Sequence, residues 1–157
     1  MTRPVTVRRA TPVDYLTSPR LLGPGGETGG LSLDRGYFLA EQDSHLVGCV
    51  GWRVENLIAR LDDLRLSADA EGREHVLRQL LEVVHQAARE LECEVVLLAL
   101  APEEVERMAE ALTAMEYQPQ SPDALSRYHR EAAQDILQPG QALWARPLRK
   151  GRVTRPL

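Results

Sequence analysis

The stretch from about Asn56 to Leu91 constrains the fold more than any other part of this chain. Residues 56–66 have the character of a half-buried strand, because Leu64 and Leu66 alternate with charged residues. After a small, polar segment at 67–73, apolar residues recur at helical spacing and form one stripe: Leu77, Leu80, Leu81, Val84, Ala88 and Leu91. A strand that leads into a helix through a short turn aims the helix amides at one point, which attracts phosphates above all. We therefore expect small-molecule chemistry around residues 62–77.

Composition predicts one soluble domain. The 157 residues can bury roughly 70% of the unfolded surface, so the fold needs no disulfide or metal. A net charge of −4 argues against a dedicated nucleic-acid-binding protein. No apolar run reaches the ~20 residues that span a bilayer, and the N-terminus lacks the apolar core of a secretion signal. With Cys49 and Cys93 interpreted as reduced and buried, these features predict a cytoplasmic protein with no membrane partner.

The segments before the central stretch predict a strand, a short helix, a loop and a hairpin. Val5–Ala10 alternates and is β-branched at its start, and Thr11 with Pro12 forms a typical helix start. The glycine-rich segment 23–30 lacks the Lys-Ser/Thr ending of a nucleotide-binding loop, so we interpret it as a mobile loop. Residues 36–55 are typical of a hairpin, which the strand at 56–66 continues as an antiparallel meander.

The segments after the central stretch predict a buried strand, a helix and a closing strand. Residues 94–100 are almost continuously apolar, as in a strand covered on both faces. A helix begins at Pro102, with acids in its first turn. The pattern at 121–137 fits either a helix or a strand, and 142–148 is typical of a last strand. The tail at 149–157 is basic and is either solvated or in contact with an anionic partner.

This order of elements resembles that of the GCN5-related N-acetyltransferase (GNAT) superfamily over nearly the whole chain. Four local phrases resemble family strands in the same order: Val5–Thr11, Leu46–Trp52, Leu61–Leu64 and Leu143–Leu148. The resemblance implies an α/β (α+β) fold with a mixed, mostly antiparallel twisted sheet of six to seven strands and helices on both faces. It also implies a sheet that splays between the fourth and fifth strands, in a single domain at 1–148 followed by the tail.

In that family the cofactor is acetyl-CoA, and its pyrophosphate lies on the N-terminus of the helix after the fourth strand. The resemblance therefore implies cofactor contacts on that strand and in the following loop: Leu64, Leu66, Arg73, Glu74, His75, Val76 and Leu77. The family's loop is rich in glycine, so that side chains do not block the phosphates from the amides. Here only Gly72 survives, out of register, and Glu74 would bring a negative charge close to the diphosphate. Arg73 and His75 would have to bind phosphate through their side chains.

Two further family landmarks are missing. The helix after the fifth strand usually carries an asparagine and, seven residues on, a tyrosine that protonates the leaving thiolate. The corresponding positions hold Val105 and Leu112, neither of which can transfer a proton. Tyr128 would substitute as a catalytic residue only if the sixth strand brings it inward.

A candidate general base remains on the fourth strand. The family often uses a carboxylate there to deprotonate the amine, and Asp62 is at the matching place, two residues before Leu64. Asp63 is expected to point to the other face of the sheet. The alternative for two adjacent acids is a solvated edge or a salt bridge to Arg60 or Arg65.

These observations leave two hypotheses of different class. The first is an acyl-CoA-dependent N-acyltransferase with an atypical phosphate loop, in which Asp62 is the base and the backbone amides of 73–77 hold the pyrophosphate. Its acceptor would be a small-molecule or peptide amine, and family habit implies a homodimer. The second is a GNAT-fold binding or assembly protein that has lost acetyl-CoA chemistry, as the missing landmarks favour. No histidine or cysteine spacing predicts a metal site.

Overall fold

One seven-stranded sheet organises the part of the chain that the computed structural model describes, namely residues 4–17, 35–67 and 70–148. The strands are β1 (Thr6–Arg9), β2 (Arg35–Gln42), β3 (His45–Glu55), β4 (Ile58–Leu66), β5 (Val95–Leu100), β6 (Gln118–Gln120) and β7 (Ala142–Pro147). The helices are α1 (Pro12–Thr17), α2 (Ala70–Glu90), α3 (Pro102–Ala114) and α4 (Arg127–Ile136), with a 3₁₀ turn at Pro122–Ala124. The glycine-rich segment at 23–30 and the basic tail lie outside the described residues.

The sheet is mixed and mostly antiparallel, as the resemblance implied. Its order is β1-β2-β3-β4-β5-β7-β6, and among these strands only β4 and β5 pair in parallel. Their ladder runs from the Ile58–Val95 pair to the Leu61–Leu98 pair and then ends, although β4 continues to Leu66. The two strands therefore separate in the second half of β4, where the resemblance implied a splay.

Helices cover both faces of the sheet because β5, an internal strand, has no polar side chain to expose. All six β5 residues are buried, as the continuous apolar run predicts. On one face, the apolar stripe of α2 and the inner side of α3 pack against the sheet in the larger core cluster, which includes Leu77, Leu80 and Leu112. On the other face, α4 packs its alanines and Ile136 against the smaller cluster.

Two tight turns set the register of the β2–β3–β4 meander. Asp43 and Ser44 have φ angles of 53° and 66°, and Asn56 and Leu57 have φ angles of 54° and 63°. Two consecutive residues with positive φ form the hairpin turn whose twist matches that of the flanking strands. The first turn agrees with the predicted hairpin. The second shows that β4 begins at Ile58 rather than at Asn56.

The ambiguous segment at 121–137 resolves into a 3₁₀ turn followed by a helix. α4 begins at Arg127 rather than at the Ser-Pro-Asp start, and the short strand before it is β6. The helical alternative is favoured because Ala132, Ala133 and Ile136 then share one face, and all three are buried against the sheet.

A buried histidine joins α2 to the far end of the sheet. His85 is 2% exposed, and its Nδ1 accepts a hydrogen bond from Arg146 at 2.7 Å. The proton of the neutral imidazole therefore lies on Nε2, which is 2.7 Å from the hydroxyl oxygen of Tyr117. Burial lowers the pKa of His85 to about 3, and the charges of Arg146 and Arg89 add to this effect. The imidazole is thus neutral throughout the ordinary pH range.

The free energy of unfolding is expected to fall as pH is lowered from 6.5 towards 3, because the unfolded chain protonates His85 and the folded chain does not. Within that window one such proton changes the free energy by about 1.4 kcal/mol per pH unit. Urea unfolding of the wild type and of His85→Gln between pH 7 and 5 measures this slope, which should be flatter in the variant. His45→Gln, at an exposed position, is the control. Equal slopes in all three proteins would contradict the assignment.

Candidate functional site

A cavity of about 560 Å³ lies where the start of α2 faces α3 and the end of β4. Its lining residues are Leu66, Arg73, Glu74, Leu77, Arg107, Met108, Glu110 and Ala111. Four of the seven predicted cofactor contacts are therefore brought together, namely Leu66, Arg73, Glu74 and Leu77. The cavity adjoins the strand–helix junction to which the sequence assigned small-molecule chemistry.

The other three predicted cofactor contacts do not line this cavity. Leu64 is half-buried and packs against the larger core cluster, and His75 is half-buried on α2. Val76 is fully buried, and a Cβ added at Gly48 would come within 3.1 Å of its Cγ1. Val76 therefore fills core space between α2 and β3.

Arg73 links the two walls of the cavity. Its guanidinium donates one hydrogen bond to the backbone carbonyl of Leu66, at the end of β4, and one to the carboxylate of Glu104, in the first turn of α3. Both distances are 2.8 Å, and the Arg73 side chain is 17% exposed. Arg107 contributes a second, more distant contact to Glu104, at 3.9 Å. The arginine that was expected to bind phosphate is therefore held by a carboxylate.

The start of α2 corrects one sequence expectation. The backbone amides of 73–77 were expected to hold a pyrophosphate, but α2 already begins at Ala70. The amides of 74–77 lie beyond the first turn and are used by the i to i−4 hydrogen bonds of the helix. Any anion on this helix would therefore meet the first turn, about four residues earlier than expected.

A bulge interrupts β4 shortly before Leu66, which lines the cavity. Asp62 lies opposite Gly51 and Arg65 lies opposite Cys49, so Asp63 and Leu64 together face a single β3 residue. Asp63 has a φ of 51°, in the left-handed region. Such a bulge disrupts the ladder locally and re-aims the side chains near it.

The bulge places both acids of β4 on the same face, so the expectation that Asp63 points to the other face is wrong. The Tyr37 hydroxyl donates to the Asp63 carboxylate at 2.7 Å. A Cβ added at Gly51 would come within 2.5 Å of Asp62 Oδ1 and 3.6 Å of the Tyr37 ring. Tyr37 therefore lies beside both aspartates. The missing side chain at Gly51 leaves the space that the Asp62 carboxylate occupies.

Asp62 has the electrostatic character of a general base. The protein around its carboxylate raises its pKa, the Asp63 charge raises it further, and Arg53 acts in the opposite direction. The residue is nevertheless solvent-exposed, so protein atoms surround its carboxylate without shutting out solvent. Within the described ranges, no side chain donates a hydrogen bond to Asp62. A carboxylate with a raised pKa and solvent access can take a proton from an incoming amine.

Asp63 is held by two donors. Besides the Tyr37 hydroxyl, Arg65 Nε donates to it at 2.7 Å. Burial, and then the contact with Asp63, raises the pKa of Tyr37, so its hydroxyl remains a neutral donor. The predicted alternative of a salt bridge to Arg65 thus describes Asp63. Arg60 instead binds Asp135 at 2.6 Å.

Tyr128 lies elsewhere. It is 66% exposed on α4 and lines a separate cavity of about 480 Å³ with Asn56 and Leu57, at the start of β4. Asp62 is four residues along the strand from Ile58, or about 13 Å. The structure therefore does not bring Tyr128 to Asp62. The side chain at the family's tyrosine position, Leu112, is fully buried in the core.

Sequence reasoning missed three residues of this region, namely Tyr37, Gly51 and Glu104. Tyr37 and Gly51 lie within the predicted hairpin, where an aromatic residue and a glycine have many structural explanations. Glu104 was interpreted only as an acid at the start of a helix. These three residues have in common that they lie close to β4 in space, across the sheet or the cavity. No spacing within the sequence indicates such closeness.

No three described His, Cys, Asp or Glu side chains cluster so that they could hold a metal ion. Among the described helices, none has the length and hydropathy to cross a membrane.

No protein-family model matches the sequence, and no curated protein matches it. Solved structures do match its fold. N-acetylglutamate synthase from Neisseria gonorrhoeae, complexed with coenzyme A and N-acetyl-glutamate, superposes with a TM-score of 0.64 at 19% identity. The match covers 96% of this chain but only 36% of the synthase, so this chain spans about a third of that protein.

Two smaller proteins match over nearly their whole length. The ribosomal-protein-S18-alanine N-acetyltransferase from Escherichia coli has a TM-score of 0.65 at 12% identity, over 98% of this chain and 100% of its own. The PaiA N-acetyltransferase from Thermoplasma acidophilum, in complex with coenzyme A, has a TM-score of 0.65 at 10% identity, over 92% and 99%. At these identities the likeness establishes a shared fold.

Proposed function

We propose that this chain, which has the fold of the GNAT N-acetyltransferases, is an acyl-CoA-dependent N-acyltransferase that uses Asp62 as its general base. The observation that carries the proposal is the form of β4. This strand leaves its neighbour after Leu61, turns two acids onto one face at the bulge, and ends at a cavity beside the start of α2. The acceptor is a small-molecule or peptide amine.

The residues of the cavity fit a phosphorylated acyl carrier in part. Coenzyme A is bound in two of the similar structures, and bound acyl-CoA would supply an acyl group activated as a thioester. Arg73 and Arg107 would hold its phosphates through charge-assisted hydrogen bonds, with Leu66 and Leu77 as the apolar wall. Glu74 and Glu110 oppose such an anion, and Arg73 would first have to leave Glu104. These features predict weak binding.

The chemistry assigned to this chain's own residues is a proton transfer. The Asp62 carboxylate takes a proton from the protonated acceptor amine, which frees the nitrogen lone pair to form the bond to the thioester carbonyl carbon. The carbon–sulfur bond then breaks, the nitrogen loses its second proton to water, and the thiolate takes a proton from water, because Val105 and Leu112 cannot donate one. The interrupted ladder at the bulge leaves backbone groups unpaired, and an amide among them would stabilise the developing oxyanion.

The second candidate function is a GNAT-fold module that binds a partner without catalysis. The Arg73–Glu104 pair favours it, since this pair joins β4 to α3 across the cavity where the cofactor would lie. Coenzyme A binding separates the two candidates.

Coenzyme A is expected to raise the melting temperature of the wild type. A ligand at 100 times its Kd adds about 2.7 kcal/mol, which for a chain of this size corresponds to roughly 6–10 °C. Arg73→Gln should reduce the shift because it removes a phosphate contact, whereas Glu104→Gln should increase it because Arg73 is then released. Thermal unfolding with and without millimolar coenzyme A measures all three shifts.

The matched control is Arg127→Gln, which removes an exposed arginine of α4 whose ion pair among the described residues is with its helix neighbour Glu131. It should leave the coenzyme A shift unchanged. Absence of any shift in the wild type at millimolar coenzyme A would exclude the transferase and favour the binding module.

A further inference from the structure

Two adjacent carboxylates on one face of a sheet repel each other when both are ionised. Asp62 and Asp63 are in this position only because the residue at the bulge adopts a left-handed conformation. Without the bulge, strand alternation would place them on opposite faces. The bulge therefore brings the two carboxylates together, although the alternation in the sequence predicts that they lie apart.

The surroundings of the two carboxylates divide their roles. Asp63 accepts one hydrogen bond from the Tyr37 hydroxyl and one from Arg65 Nε, each at 2.7 Å. No described side chain donates to Asp62, whose carboxylate occupies the space that the missing side chain at Gly51 leaves. The two donors fix the position of the Asp63 carboxylate beside Asp62, and its charge raises the pKa of Asp62. Pairs of carboxylates with unlike environments separate into a fixed anion and a titrating group in this way.

We propose, on the basis of the transferase function above, that Asp63 is a positioning residue for the reaction: its carboxylate, fixed by Tyr37 and Arg65, strengthens Asp62 as a base. Asp63 does not itself exchange a proton with the acceptor. Its negative charge stabilises the protonated form of Asp62, and Tyr37 and Arg65 keep that charge in place.

Other titratable groups lie near Asp62 and Asp63, and among them Arg53 acts directly on the pKa of Asp62. The groups that face it or its partners are Tyr37 from β2, Cys49 and Arg53 from β3, and Asp63 and Arg65 from β4. Burial raises the pKa of the Cys49 thiol to about 12, so it remains neutral. Arg53 lowers the pKa of Asp62, although Asp135 of α4 shares its charge through a 3.0 Å contact. Removal of Asp63 and removal of Arg53 should therefore have opposite effects.

The first measurement is an NMR titration of the Asp62 side-chain carboxyl carbon in the full chain. Asp63→Asn should lower the pKa of Asp62, and Arg53→Gln should raise it. Glu82→Gln, which removes an exposed charge on α2, should leave it unchanged. Asparagine tolerates the left-handed conformation nearly as well as aspartate, so the bulge should persist. An unchanged Asp62 pKa in Asp63→Asn would overturn the proposal.

The second measurement is the pH profile of kcat/KM with acetyl-CoA and an amine that the wild type accepts. In Asp63→Asn the acid limb should move to lower pH together with the Asp62 titration, and the plateau should fall about three- to tenfold, since a weaker base remains. An acid limb that stays in place while the Asp62 titration moves would overturn the positioning role. A wild type without any transfer would instead refute the proposed function, and the titration would still measure the pairing of the two carboxylates.

Discussion

Asp62→Asn is expected to lower kcat/KM for acyl transfer by about 10²–10³-fold and to leave the fold intact, because positioned general bases contribute effects of this size. Asparagine keeps the shape that fills the space over Gly51 but cannot take a proton from the amine. The measurement is thiol release from acetyl-CoA in the presence of amino acids, polyamines and short peptides. Circular dichroism and the melting temperature check the fold.

The pH dependence of the wild type adds a sign to this prediction. With Asp62 as the proposed base, its raised pKa predicts that activity is lost as pH falls through that pKa and that the base is fully available above it. Asp62→Asn should abolish this acid limb. The matched control is Asp123→Asn, at an exposed position in the 3₁₀ turn, which should retain full activity. Substantial transfer by Asp62→Asn would show that another group, or solvent, takes the proton.

The central strand and helix were predictable because their signals are local. Helical spacing from Leu77 to Leu91 requires a helix with one apolar face, and the structure buries that face against the sheet. The helix start was less accurate by about one turn. Residues 70–73 lie before the apolar stripe, so periodicity does not report on them. Helix boundaries of this kind depend on the cap and on packing rather than on the pattern.

The bulge could not be predicted from sequence. Leu64, Arg65 and Leu66 alternate both in a regular strand and in the observed one, because the left-handed residue, Asp63, comes before them. A glycine would have indicated a left-handed position, but the chain has aspartate there. The face of Asp63 therefore depends on its pairing with β3, which is a tertiary property.

The partners of the candidate site were likewise beyond local reasoning. Tyr37 is 26 residues from Asp63, and Glu104 is 31 residues from Arg73. Such pairs depend on how strands and helices are arranged, so a single sequence offers no spacing from which to read them. The resemblance pointed to Asp62 as a candidate base and to a candidate cofactor region, but not to the contacts that hold Arg73 and Asp63.

Asp14→Ala is expected to lower the free energy of unfolding by about 2–3 kcal/mol at neutral pH. The Asp14 carboxylate accepts two hydrogen bonds from Arg8, at 2.7 and 2.9 Å, and closes the start of α1 by accepting from Thr11. Breaking a buried charge pair costs roughly 3–5 kcal/mol. The value here is reduced because the Arg8 side chain is 36% exposed and retains Glu41. Urea unfolding measures the difference.

The sign of the pH dependence identifies the cause of this loss. The Arg8 hydrogen bonds lower the pKa of Asp14 below the ordinary value of 3.8, so its contribution is fully present above about pH 4 and is lost as pH falls further. The gap between wild type and Asp14→Ala should therefore be full at pH 6 and should narrow towards pH 2. His85 titrates equally in both proteins and cancels in this difference. Asp123→Ala, an exposed aspartate with no such partner among the described residues, should show no gap at either pH. A gap that does not depend on pH would instead attribute the loss to the helix start and its packing rather than to the Arg8–Asp14 pair.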